Sequence, residues 1–535
     1  MARASVREMS LSQPDTLADA GPVRSAEPAA SSTSVMPDDP AAAEAQKTQT
    51  GKSRAAALAT IIFAGIALTS DGYQNNVFNF ASTLFTRIYP AAFTPSISTR
   101  IGNALIVGAI IGQLGFGLVI DRFGRKIGLL VTTLLIVLGT LLCAVVYPAD
   151  NSPTTLFWAI TICRGITGVG VGGEYPCSSA SASEASDETK PTRRGGVFVL
   201  VTNLVLSMGG VLATIVYLIL FASAAEGEKT EDLNKIWRIA FGLGGVLPLS
   251  VFWFRFKMAN SDRFKKNYSK TSPPYRLAFK RLWPRLVGTA GCWFLYDFVV
   301  FPNGIFSSAI IAGLVTKGPT QLRQTAEWQL LLGLCSLPGI LLGAHLVDRI
   351  GRKKVMTIGF VLSGIMGFIL AGSYDHLQQN TALFVVCYGL FISASNFGPG
   401  NCLGLISAEV YPTPLRGTFY GLSAAIGKAG AAIGNQILIP LRTHYGTDPA
   451  SVQQGTQAVF YICASVAFLG AMLCWTMVPD FSGQTLEKED REWREYLIEH
   501  GVEAEFGFDD ANVGDMGTVD DKRVGLDSAP TREAT

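Results

Sequence analysis

The stretch GFGLVIDRFGRKIG at 115–128 returns as GAHLVDRIGRKKV at 343–355. Each copy runs apolar residues into an Asp-Arg pair, a glycine and further basic residues. The two aspartates, Asp121 and Asp348, stand 227 residues apart. A second echo keeps nearly the same offset: Glu184 ahead of Arg194-Gly195, and Glu409, 225 residues on, ahead of Arg416-Gly417. Two separate echoes at one offset imply two homologous halves. A tight corner between helices needs the backbone freedom of Gly124 and Gly351. Ordered charges confined to one face can hold that face shut. Asp121, Arg125, Glu184 and Arg194, with Asp348, Arg352, Glu409 and Arg416, are therefore expected to form a latch.

Around these corners, apolar runs long enough to span a bilayer recur twelve times, near 55–85, 100–120, 127–147, 154–176, 196–222, 237–256, 285–314, 326–347, 354–373, 381–404, 418–441 and 456–478. Only 16% of the 535 residues are charged, against about 25% in soluble chains. The expectation is an all-α polytopic membrane protein with twelve transmembrane helices in two pseudo-symmetric six-helix bundles. Its parts would be a disordered tail (1–53), a first bundle (54–256), a polar interdomain loop (257–284), a second bundle (285–478) and a C-terminal tail (479–535). Lys and Arg crowd the loops at 121–127, 187–195, 255–285 and 348–354, which puts both termini in the cytoplasm. A monomer in the plasma membrane is expected.

A net charge of +2 excludes a basic field for nucleic acid. The nine cysteines are scattered singly with no metal spacing. No ATP site, metal set, sodium cage or nucleophile–base pair is visible, so neither a cofactor nor an enzyme is expected. The glycines of 168–173 follow no strand and lie in a span, where they let helices approach closely.

Four charges lie inside apolar runs, where each costs about 2.5–3.5 kcal/mol on insertion scales and faces a cavity or a partner. Asp71 sits in Thr69-Ser70-Asp71-Gly72-Tyr73-Gln74-Asn75-Asn76 and is expected to interrupt the first helix and face a water-filled cavity. Glu174 follows the helix-4 glycines and precedes Pro176. Asp297 lies four residues after Trp293 and four before Phe301, so the three share one helix face. Pro302 and Gly304 are expected to break that helix. Lys428 lies among small residues in GKAGA (427–431), which leaves room for a ligand.

Three carboxylates and a lysine suit a pathway for an anion and for protons. Importing one negative charge into a negative interior costs about 2.3 kcal/mol per 100 mV, and co-transported protons reverse that sign. Proton and anion binding would then favour each other, and reciprocally. Asp71, Glu174 and Asp297 are the proton-coupling candidates.

From 55 to about 480 the chain resembles the major facilitator superfamily. Within it, the chain is similar to phosphate:proton symporters and, nearer still, to fungal glycerophosphoinositol permeases. The motifs that carry this are GVGVGGEYP (168–176), WFLYDFVVFPNGIFSS (293–308), NFGPGN (396–401), AEVYPTPLRG (408–417) and GKAGAAIG (427–434). The resemblance implies a central site between the halves, with Lys428, Tyr175, Trp293 and Asp297 at substrate-binding positions and Asp71 and Glu174 at acidic ones. Two positions depart: Phe301 stands where the phosphate family has tyrosine, and Gly400 where it has asparagine. Both changes remove phosphate donors and widen the pocket. The expected cargo is an esterified phosphate, a glycerophosphodiester bearing inositol or choline. Inorganic phosphate, a sugar and a non-transporting nutrient sensor are the alternatives.

Overall fold

A computed structural model of the chain describes residues 40–147, 150, 152–189, 193–223, 230–257, 273–315, 321–442, 444–446, 448–480 and 486–502. The first 39 residues, most of the interdomain loop (258–272) and the end of the C-terminal tail (503–535) lie outside them.

Twelve long helices follow one another: α1 (Pro40–Ile88), α2 (Pro95–Phe123), α3 (Arg125–Val145), α4 (Pro153–Thr189), α5 (Arg194–Ser223), α6 (Glu231–Phe256), α7 (Tyr275–Leu314), α8 (Gln321–Ile350), α9 (Arg352–Gly372), α10 (Thr381–Glu409), α11 (Arg416–Leu441) and α12 (Pro449–Met477). Eleven of them, α2 to α12, are long and apolar enough to cross a membrane. A shorter helix, α13 (Leu486–Glu499), follows.

Three expectations change. Helix α1 begins at Pro40, inside the segment read as a disordered tail; PAAAEAQK is rich in strong helix formers. Helix α1 also runs unbroken through Asp71, and α7 runs unbroken through Pro302 and Gly304. A proline in a span is tolerated when neighbours satisfy the freed backbone groups. Here the adjacent Asn303 donates its side-chain amide to the Val299 carbonyl one turn back (2.7 Å), and Tyr388 in turn donates to Asn303 Oδ1 (2.9 Å).

Within α1–α6, α4 packs on α2 and α3; within α7–α12, α7 packs on α11 and α12, and α9 on α12. Across the halves, α2 meets α11 and α8 meets α5. The α2–α4 crossing is so close that a Cβ on Gly168 or Gly172 would lie 2.2 Å from the Leu105 carbonyl or 2.1 Å from that of Ala109. This is why small residues fill that stretch of α4. At the two repeated corners Gly124 and Gly351 adopt φ of 89° and 97°, the region that favours glycine.

Candidate functional site: a charged cavity between two halves, bolted at one end

At one end of the helices the eight repeated charges form two matching clusters. In the first, Arg125 at the start of α3 bonds Asp121 (3.3 Å) and Glu184 (2.9 Å), and Glu184 also takes Arg416 of α11 (3.1 Å). Asp121 accepts from the backbone N–H groups of Gly417 (3.0 Å) and Thr418 (2.7 Å) and from the Thr418 hydroxyl. In the second, Arg352 bonds Asp348 (2.9 Å) and Glu409 (3.1 Å), and Glu409 also takes Arg194 of α5 (2.9 Å). Asp348 accepts from the N–H groups of Gly195 (3.2 Å) and Gly196 (2.7 Å). Each aspartate thus caps the first turn of a helix in the other half, where free N–H groups and the helix dipole favour a negative charge. Both clusters cross between the halves, and this end is shut.

Behind the bolted end lies a cavity of about 340 Å³, of ligand-binding size. Lys428, Tyr175, Trp293, Asp297, Phe301 and Gly400 all line it. Lys428 and Asp297 are both buried, with Nζ 2.8 Å from Oδ2. The ammonium lies 4.2 Å from the Phe301 ring centre and 5.4 Å from that of Tyr175, within cation–π range. Trp293 is fixed edge-on against Tyr420, whose hydroxyl bonds Ser179 at 2.8 Å. Small residues on α11 admit this packing: a Cβ on Gly427 would strike the Trp293 ring.

Glu174 and Asp71 are not on that wall. Glu174 is fully buried and fully answered. Arg255 of α6 grips both its carboxylate oxygens, one at 2.8 Å, and Thr132 (2.9 Å) and Ser178 donate as well. Asp71, also fully buried, has no hydrogen-bond partner at either oxygen among the described residues. It lies within electrostatic reach of Glu174 and Arg255. The expectation that Asp71 faces a water-filled cavity does not hold: α1 lines the cavity with Leu68, Gly72, Asn75, Asn76, Phe78 and Asn79.

Three features escaped sequence reading. Arg255 looked like one more basic residue of the interdomain loop; a mid-span glutamate that needs a cation was the signal. Arg164 lines the cavity, donates to the carbonyls of Ile101 and Gln74 at 3.4 Å and stacks on Phe78 at 4.9 Å, with no carboxylate in ion-pair range among the described residues. The tail helix α13 docks beneath α7: Trp493 and Leu497 join the core of the second half, Glu489 pairs with Arg285, and Asp490 accepts from the Thr413 N–H (2.6 Å) and hydroxyl (2.7 Å). Its Leu486, Trp493 and Leu497 recur at helical spacing.

A second, larger cavity of about 1500 Å³ lies toward the opposite end, between the N-terminal part of α2 and the C-terminal part of α11. Three arginines (Arg87, Arg100, Arg442) and no acid line it, and Ile305 lines both cavities.

Residues 56–273 and 266–493 each match the family model described as sugar (and other) transporter. The chain is 44% identical to glycerophosphoinositol permease 1 of Candida albicans over 450 residues, 84% of this chain and 83% of that one. It is 41% identical to glycerophosphoinositol transporter 1 of Saccharomyces cerevisiae over 462 residues, 86% of each. Among solved structures it superposes on the proton:xylose symporter XylE bound to 6-bromo-6-deoxy-D-glucose with a TM-score of 0.66 at 18% identity, over 82% of this chain and 99% of that one.

Proposed function

The chain belongs to the sugar (and other) transporter family, and from that membership we propose that it is a proton-coupled importer of glycerophosphodiesters. It works by alternating access in the plasma membrane as a monomer, with both termini in the cytoplasm. The relatives named as glycerophosphoinositol carriers support the cargo. The single observation that carries the mechanism is the buried Lys428–Asp297 pair on the cavity wall.

A buried ammonium needs one negative partner, and a second nearby anion is repelled. With the cavity empty, Asp297 fills that role. A proton on Asp297 releases Lys428 to hold the phosphodiester, so each ligand clears the way for the other. Tyr175, Trp293 and Phe301 shape an apolar, aromatic wall that excludes water and strengthens the ion contact. Phe301 offers no hydroxyl for a free phosphate oxygen.

Asp71 is the second proton acceptor in this reading. An ionised carboxylate with no donor at either oxygen is costly to bury. Glu174, clamped by Arg255, is the charge that Asp71 responds to. More than one proton per monoanion makes inward movement favourable against a negative interior.

The bolted end is the cytoplasmic gate, and the arginine-lined cavity is the way in from outside. Uptake measured in cells lacking their own phosphate carriers tests the whole reading. Radiolabelled glycerophosphoinositol, glycerophosphocholine and inorganic phosphate are compared at acid and neutral pH, with and without a protonophore. Acid-stimulated, protonophore-sensitive uptake of a diester is expected. Uptake of inorganic phosphate alone, or diester uptake indifferent to the protonophore, overturns it.

A further inference from the structure

Two helices on the cavity wall each carry one widened, π-helical turn: Leu200–Leu204 in α5 and Asn396–Gly400 in α10. Such turns are rare and concentrate at functional sites. They belong to opposite halves of the chain, yet they are joined. Asn203 of the first donates its side-chain amide to Asn396 (3.4 Å) of the second and to Asn401 (2.7 Å), the residue just after it. Gly400 faces the junction. A Cβ placed on it would lie 2.7 Å from the Tyr296 hydroxyl, 2.9 Å from Asn396 Oδ1 and 3.3 Å from Asn203 Nδ2. The glycine thus lets these three polar groups converge with no room for even a methyl, in a polar niche on the wall of the cavity that also holds Lys428.

Two groups at this niche have no hydrogen bond among the described residues: the Tyr296 hydroxyl and Asn203 Oδ1. Nearby Asn396 contributes a second amide oxygen. The niche thus offers acceptors as well as donors. Acceptor oxygens repel a phosphate oxygen, which can only accept, but suit a hydroxyl, which both donates and accepts. The niche holds no free carboxylate for a quaternary ammonium either: Asp297, the one acid lining the cavity, is paired with Lys428.

We infer that the niche formed by Asn203, Tyr296, Asn396 and Gly400 is the headgroup subsite, and that it selects a polyhydroxylated headgroup such as inositol over one without hydroxyls. This rests on the reading of the cavity as a glycerophosphodiester site, and it adds residues of both halves to cargo recognition. A headgroup bonded to Asn203, Asn396 and Tyr296 reinforces the contact that the two π turns already make. Discrimination of this kind is strong where a site is built to bond a hydroxyl, because its polar groups are left unpaired by the wrong cargo.

The test measures KM for radiolabelled glycerophosphoinositol, and KI for unlabelled glycerophosphocholine and sn-glycerol 3-phosphate as competitors, in wild type and in Tyr296→Phe, Asn203→Ala and Gly400→Ala. Tyr296→Phe removes one atom and keeps the ring, so it guards against misfolding. Tyr296→Phe and Asn203→Ala are each expected to raise KM for the inositol diester about three- to tenfold, the worth of one neutral hydrogen bond, Gly400→Ala by at least as much because its methyl displaces the same groups, and all three are expected to shift the competitors less. Equal shifts for all three compounds, or none, overturn the headgroup assignment while leaving the diester reading in place. A wild type that takes up no diester overturns both.

Discussion

Lys428 of α11 and Asp297 of α7 stand 2.8 Å apart, buried, 131 residues apart in sequence and, among the described residues, alone as an ion pair on the cavity wall. Neither can lose the other quietly. Lys428→Ala is expected to abolish diester uptake while the protein still reaches the cell surface. Asp297→Asn should flatten the acid stimulation of uptake, because the amide cannot cycle a proton. Surface biotinylation beside initial-rate uptake at several pH values checks both. Normal uptake by Lys428→Ala, or an unaltered pH profile in Asp297→Asn, removes the pair from the mechanism.

Arg255 is a structural keystone for Glu174. Removing it leaves a buried carboxylate with only two hydroxyl donors, at a cost of about 3–5 kcal/mol. Arg255→Ala should lower the melting temperature of the purified protein and its yield. The double variant Glu174→Gln/Arg255→Met, which removes both charges, should recover most of the loss. A double variant as unstable as the single one refutes the account.

Opening the bolted end requires Asp121 and Asp348 to release the helices that they cap. Loss of such a cap costs about 0.5–2 kcal/mol. Asp121→Ala and Asp348→Ala should each shift the population toward the form open at that end, and by similar amounts. Spin-label distances between the ends of α4 and α10 report this. A charge swap, Glu184→Arg with Arg416→Glu, should restore part of what either single change loses; failure to do so means that the contact is incidental.

Docking of α13 rests on Trp493, which is almost wholly buried. Trp493→Ala should destabilise the protein by about 3–5 kcal/mol, read as a fall in its melting temperature in detergent. Asp490→Ala, which frees the Thr413 backbone from its cap, should loosen the segment between α10 and α11 as judged by limited proteolysis. A tail that can be trimmed before Leu486 without effect contradicts this.

Much of this architecture was legible in the amino-acid order because membrane proteins enforce simple rules. Long apolar runs announce helices, and a charge within one is expensive enough to stand out. The repeated corners carried the two-fold organisation, and the spacing of Trp293, Asp297 and Phe301 carried one wall of the cavity. What stayed hidden depends on which side chains meet. Asp71 and Glu174 looked alike in the sequence, yet one has a guanidinium and two hydroxyls and the other has no donor. The π turns of α5 and α10 have no periodicity of their own, and the partner of Asn203 lies 193 and 198 residues away. Pro302 looked like a breaker because sequence cannot reveal that the Asn303 side chain, held by Tyr388, bonds the backbone one turn before it.

The two bolts have one further consequence. The end of α2 caps the start of α11, and the end of α8 caps the start of α5; in each case the aspartate of one half accepts from the helix start of the other. That is the contact pattern of an isologous dimer, in which one patch meets its own copy about a two-fold axis. The gate is therefore self-complementary. A single six-helix piece carrying an acid at one corner and a capped helix start at another already contains everything that this closure needs, and two such pieces on separate chains could shut against each other. The covalent tether adds proximity and lets the copies diverge at the cavity, as Lys428 and Asn203 have, while the closing surface stays symmetrical.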